Sequence, residues 1–137
     1  MTGKGSLNHN SRKFHAKNTD PNRTHWNVEY CNEDIKDVYH ELFDDALKRY
    51  NDKQTRKDRK IDDYYEKIRS GKQEKLFHEV ILQIGDKDNM GSETMEGQLA
   101  AKILDEYMRG FQERNPTLRV FAAHLHLDEA TPHLHID

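Results

Sequence analysis

The chain has 137 residues, 34% of them apolar and 34% charged, which allows one modest core under a heavily solvated surface. Its 22 basic and 25 acidic residues leave a formal charge of −3, so no overall basic excess marks it as a nucleic-acid binder. The single cysteine, Cys31, excludes an internal disulfide framework, and no apolar run suits a signal peptide or membrane span. A cytoplasmic single domain without membrane insertion is the expectation.

Met1 to Pro21 is rich in Gly, Ser, Asn, Thr and Lys, which predicts loop or weakly extended chain. His25–Tyr30 alternates well enough for a short strand. Ile35, Val38, Tyr39, Leu42, Phe43, Ala46, Leu47 and Tyr50 then follow helical spacing, with Asn32 as the expected N-cap. A shorter helix carrying Ile61, Tyr64, Tyr65 and Ile68 is expected to stop at Gly71. Lys75–Gly85 reads as a strand with Val80, Leu82 and Ile84 on its buried face. Ser92 is the expected cap of a long helix whose stripe is Met95, Leu99, Ala100, Ile103, Leu104, Tyr107 and Phe111, ended by Pro116. Strands over 118–128 and 133–137 complete an α+β pattern: an antiparallel sheet of about four to five strands with helices packed on one face.

Two segments are locally basic. Residues 1–25 hold five bases against one acid, and residues 48–60 hold seven against two. Such runs gain meaning only beside a chemically competent site.

The end of the chain offers one. Side chains alternate faces along a strand, so His124, His126 and Asp128 share the face opposite Ala123, Leu125 and Leu127. Past the turn containing Pro132, His133, His135 and Asp137 oppose Leu134 and Ile136. Folding both apolar faces onto one core brings His126, His133 and His135 together on a hairpin. Pro132 argues against a helical His-Glu-x-x-His zinc arrangement. Three imidazoles with no evident fourth ligand describe one divalent-metal site with open positions. Asp128 and Glu129 stand by to orient imidazoles or assist proton transfer.

The pattern His126-x-Asp128-Glu129-x-x-Pro132-His133-x-His135 resembles the third motif of HUH-type relaxases, and in detail that of the Mob/Pre family of plasmid mobilization and recombination proteins. "HNSR" at His9–Arg12 resembles that family's first motif, and "NTDPNRTHWNVEY" at Asn18–Tyr30 its second. The resemblance implies an HUH relaxase fold and metal-dependent nicking of single-stranded DNA at a plasmid or mobile-element origin of transfer. It also implies a covalent 5′-phosphoryl-enzyme intermediate, serving conjugative mobilization and plasmid recombination. The chain is then expected to be a single relaxase domain, incomplete at its C-terminus.

By the same resemblance His9 is the expected nucleophile, with Arg12, whose planar fork can pair with the phosphate, and Glu129 as its catalytic partners. A neutral imidazole near pH 7 needs less activation than a phenol. Tyr64 or Tyr65 is the alternative nucleophile. Asn10, Arg23 and Asn27 are carried over as DNA or active-site contacts, and Trp26 as a base-stacking candidate. Arg56, Lys57 and Arg59 are the phosphate-contact candidates of the second basic segment.

The expected ion is Mn or Mg, with Zn, Co and Ni also tolerated by three imidazoles. The expected partners are single-stranded DNA and a conjugative coupling protein, with no small-molecule substrate. Two other readings stay open: a different HUH endonuclease, such as a rolling-circle replication initiator or transposase, and a non-catalytic metal-containing DNA-binding module.

Overall fold

The computed structural model describes residues 2–3 and 5–137. They divide into two compact units, one formed by residues 2–3, 5–32 and 78–137, the other by residues 33–77.

The first unit is built on a five-stranded sheet. Its strands are β1 (Thr2–Gly3), β2 (Val28–Asn32), β3 (Glu79–Gln83), β4 (Ala122–His126) and β5 (His133–Ile136). Their order across the sheet is β1-β3-β5-β4-β2, and every pairing is antiparallel. The two histidine strands therefore lie at the centre, where backbone pairing on both sides fixes register most firmly.

That register is set by the apolar face. Leu125 pairs with Leu134 and Ala123 with Ile136, and both leucines are at most 2% exposed. Burying each stabilises the sheet by about 1.5–3 kcal/mol. A slip of one residue would turn all four histidines into the core.

The core is completed by α4 (Met95–Arg109) and α5 (Phe111–Arg114), through Ala101, Leu104, Met108 and Phe111. The helix was expected with Ser92 as cap; the cap is Thr94, whose hydroxyl accepts from the Gly97 N–H. Ser92 is buried instead, donating to the Glu129 carbonyl. The buried stripe also turns relative to the expected one. Gly97, Ala100, Ala101, Leu104 and Met108 face inward, while Met95, Leu99, Ile103 and Tyr107 are exposed. Small residues win the inner face because the helix start lies against the backbone: a Cβ at Gly97 would fall on the Gly91 carbonyl.

Other boundaries also move. Of the residues expected as loop or weakly extended chain, Thr2–Gly3 form β1, and Leu7–Asn10 form a one-turn helix, α1. Within the second-motif segment a 3-10 turn at Thr24–Trp26 precedes the strand, which starts only at Val28. A bulge between Glu29 and Cys31 lets Glu29 face His124 while Cys31 packs on the core. The strands expected over 75–85 and 118–128 shorten to the residues their partners cover.

The second unit holds α2 (Ile35–Asp52) and α3 (Tyr64–Ser70). Asp34 caps α2, accepting from the Lys36 and Asp37 N–H groups, two residues later than the expected Asn32. The two helices meet through Tyr39, Phe43, Tyr64 and Tyr65, with ring centroids 5.0–6.0 Å apart. Ile61, expected within the second helix, precedes it and exchanges backbone hydrogen bonds with the Asn51 side chain. Among the described residues no helix is long and apolar enough to cross a membrane.

Candidate active site

On the face of the sheet opposite the core, β4 and β5 pair His126 with His133 and His124 with His135. Ring centroids of His126, His133 and His135 lie 4.9–5.2 Å apart, and one nitrogen from each falls within 4.8 Å of the others.

The outer nitrogens fix the tautomers. His126 Nε2 lies 2.8 Å from the Asn10 carbonyl, His133 Nδ1 2.9 Å from the Thr131 carbonyl, and His135 Nδ1 2.6 Å from Glu79 Oε1. Each partner only accepts, so those nitrogens carry the protons, and lone pairs are left on His126 Nδ1, His133 Nε2 and His135 Nε2. Two of these, His126 Nδ1 and His135 Nε2, are buried with no hydrogen-bond partner. Burial first of all, helped by the Arg12 charge, holds His126 down to about 3; burial also lowers His135. Three imidazoles with converging lone pairs and acceptor-bound outer nitrogens fit a divalent ion.

His9 stands beside them. It sits on α1 with its ring 6.1 Å from that of His126, and its Nε2 is 3.3 Å from both Glu129 Oε1 and Arg12 Nη1. A pocket of about 280 Å³ opens between His9, Gln83, Glu129, Thr131, His133 and His135.

Arg12 was expected to offer its planar fork to a phosphate. The fork is instead spent inside the protein. Nε and Nη2 donate to Asp128 at 2.9 and 2.5 Å, Nη2 also donates to Glu129 at 2.9 Å, and Nη1 donates to the His9 carbonyl at 2.9 Å. Arg12 has φ +52°, a left-handed conformation that costs a non-glycine residue about 1–2 kcal/mol. Its guanidinium bonds offset that cost and lock the end of α1 to the loop after β4. Burial alone would raise the Asp128 and Glu129 carboxyls. For Asp128 the bonds from Arg12 outweigh it and hold the carboxyl at about 2, and the bond from Arg12 likewise draws Glu129 down.

Arg12→Ala should accordingly cost about 3–5 kcal/mol, because it leaves the fully buried Asp128 carboxylate without its countercharge. Denaturant unfolding checks this. A loss under 1 kcal/mol would show the pair to be dispensable.

The second-motif residues brace the same loop. Arg23 donates to Asp20 and to the Leu127 and Glu129 carbonyls. Asn27 Oδ1 accepts from the Leu127 N–H, and Thr24 donates to Asp128. Asn10 is 2% exposed and points inward. Of the residues carried over as DNA contacts in this unit, Trp26 alone has an open face, at 38% exposure. Arg56, Lys57 and Arg59 belong to the other unit, around a 3-10 turn at Lys57–Arg59, and Arg56 is paired with Asp58.

Sequence reasoning passed over Glu79, Asn18 and Thr131. Asn18 donates to Glu129 Oε2 at 2.8 Å, and Glu79 is only 4% exposed. An acidic residue at the start of an otherwise apolar strand was the available signal for Glu79.

A three-histidine centre on the open face of an antiparallel sheet, with a fourth histidine presented from a short helix, places the molecule among α+β proteins with a built metal-type site. The chain belongs to the Mob_Pre family, described as plasmid recombination enzymes, whose model matches residues 4–137.

Two solved structures of a MobM relaxase domain (MOBV; Mob_Pre), bound to plasmid pMV158 oriT DNA and Mn, at pH 5.5 and 4.6, are each 27% identical to it. Both cover 95% of this chain, with TM-scores of 0.52 and 0.50. The chain spans 59% and 60% of those domains' length. No curated protein sequence matches it.

Proposed function

We propose that this chain carries the catalytic centre of a plasmid relaxase, nicking single-stranded DNA at an origin of transfer and retaining the 5′ phosphate on His9. The observation that supports it most is the position of His9, 3.3 Å from Glu129 and beside three imidazoles whose lone pairs converge. Family membership and the similarity to a relaxase domain solved with oriT DNA and Mn agree with it.

His126, His133 and His135 would hold the divalent ion, Mn or Mg, through the three nitrogens left without protons. When bound, the ion supplies Lewis-acid stabilisation of charge on the non-bridging oxygens of the scissile phosphate.

The chain's own residues do the rest. Arg12 Nη1 and Glu129 Oε1 each lie 3.3 Å from His9 Nε2 and hold the ring at the edge of the pocket. As the unprotonated Nε2 attacks phosphorus, an N–P bond forms and the bond to the 3′ oxygen breaks, that oxygen leaving with the electron pair and taking a proton from water. Glu129, which accepts from Arg12, stabilises the positive charge that develops on the imidazole. Arg23, Thr24 and Asn27 hold the loop bearing Glu129 in place. Trp26, with its exposed face, is suited to stack on an unpaired base.

The test uses a single-stranded oligonucleotide spanning the origin beside the protein's own gene. With Mn it should be cut at one position, leaving the protein on the 5′ phosphate of the downstream fragment, and chelation should stop the reaction. Binding without any cut, in the presence of Mn, would replace the relaxase reading by a DNA-binding module.

A further inference from the structure

The nucleophile histidine and the metal-type histidines lie on separate elements, and one side chain joins them. Asn10 follows His9 directly. Its backbone carbonyl accepts from His126 Nε2 at 2.8 Å, while its side-chain amide donates to Glu79 Oε1 at 2.7 Å and to Asp137 Oδ2 at 3.2 Å. The same Glu79 oxygen accepts from His135 Nδ1 at 2.6 Å. Two of the three imidazoles thus take tautomer and orientation from atoms that Asn10 supplies or holds.

The dependence runs the other way as well. Helix α1 has four residues, too few to be stable by itself, so tertiary bonds decide where it sits. Beside the Arg12 lock and the His9–Glu129 contact, Asn10 makes tertiary bonds of its own to Glu79, Asp137 and His126. The chain entering α1 presses on the same carboxylates: a Cβ at Gly5 would come within 2.8 Å of Glu79 and of Asp137. Bringing two carboxyl groups into a site where Glu79 is 4% and Asp137 6% exposed is costly unless donors such as Asn10 and His135 satisfy them. Such an arrangement serves poorly as mere filling for a core.

We propose that Asn10 and Glu79 are positioning residues that couple the metal site to the nucleophile helix, so that an ion on the three histidines orders α1 and an ordered α1 tightens the site. The coupling is reciprocal, as any linkage between two sites must be. It rests on the metal reading given above.

The experiment needs no DNA. The 137-residue protein is titrated with Mn by calorimetry, and amide hydrogen exchange is followed at Asn10 and Ser11, whose N–H groups close the α1 turn onto Ser6 and Leu7. In the parent protein Mn should slow exchange at both amides. Asn10→Ala and Glu79→Ala should each weaken Mn binding about 10–100-fold, the range found for partners of metal-bound histidines, and should abolish the Mn-dependent protection. Glu79→Gln should stay within a few-fold of the parent, since its amide oxygen still accepts from His135 and Asn10. The two alanine variants lie on different elements, so either one reads the link if the other fails to fold.

Absence of Mn binding in the parent would overturn the metal reading itself. Mn binding in the parent with unchanged Mn-dependent protection in both alanine variants would overturn the coupling alone.

Discussion

Replacing His9 by alanine is expected to abolish the covalent protein–DNA adduct and to slow strand cleavage by about 10⁴-fold or more, the scale of losing a nucleophile outright. Mn affinity should change little by comparison, since His9 supplies none of the three converging nitrogens. The bond itself identifies the residue. A phosphoramidate on imidazole is lost in mild acid, whereas a phosphotyrosine persists. The tyrosine alternative makes the opposite forecast: an acid-stable adduct that survives His9→Ala and disappears in Tyr64→Phe or Tyr65→Phe. The structure gives both tyrosines other work. Their rings pack against Tyr39, and that of Tyr64 also against Phe43, in the helical unit, where removing the hydroxyl should leave cleavage unchanged.

Alanine at His133 is the second large change. It removes one of three converging imidazoles and should lower Mn affinity by about 100-fold or more, beyond the range for outer partners. Cleavage should fall with it, and raising Mn should restore only part. The fold should survive, because His133 faces away from the Leu125–Leu134 core. Calorimetry on His133→Ala decides the matter: an affinity equal to the parent's would remove the site as described. His124→Ala is the internal contrast. His124 shares the face, but its Nε2 is directed at Glu29 at 3.0 Å and it stands outside the converging three, so Mn affinity should hold within a few-fold.

The first motif shows where motif and geometry part. "HNSR" identifies a segment but not the direction of its side chains. Asn10 and Arg12 read as groups for a polynucleotide, and both turn inward to hold the nucleophile helix and its neighbouring carboxylates. A polar residue three or one positions from a nucleophile is equally suited to contact a ligand or to position the nucleophile; only the partners that folding brings to it distinguish the two.

The sequence by itself determined the hairpin. Period-two alternation on two strands, with a turn between them, fixes which side chains share a face regardless of everything else in the molecule, because a slip of one residue would exchange histidines for leucines in the core. Hence the meeting of His126, His133 and His135 was legible, as were the long helices with their 3.6-residue stripes. Tertiary structure alone decided the rest. It placed Glu79 from β3 against His135 across 56 residues of chain, and Asn10 against Asp137 across 127. It decided that α4 would bury its small residues, since the backbone at Gly91 leaves no room for more. It also made α1 a helix at all: four residues of weak propensity have no local signal, and their conformation follows from hydrogen bonds to groups that are distant in sequence and near only after the sheet has closed.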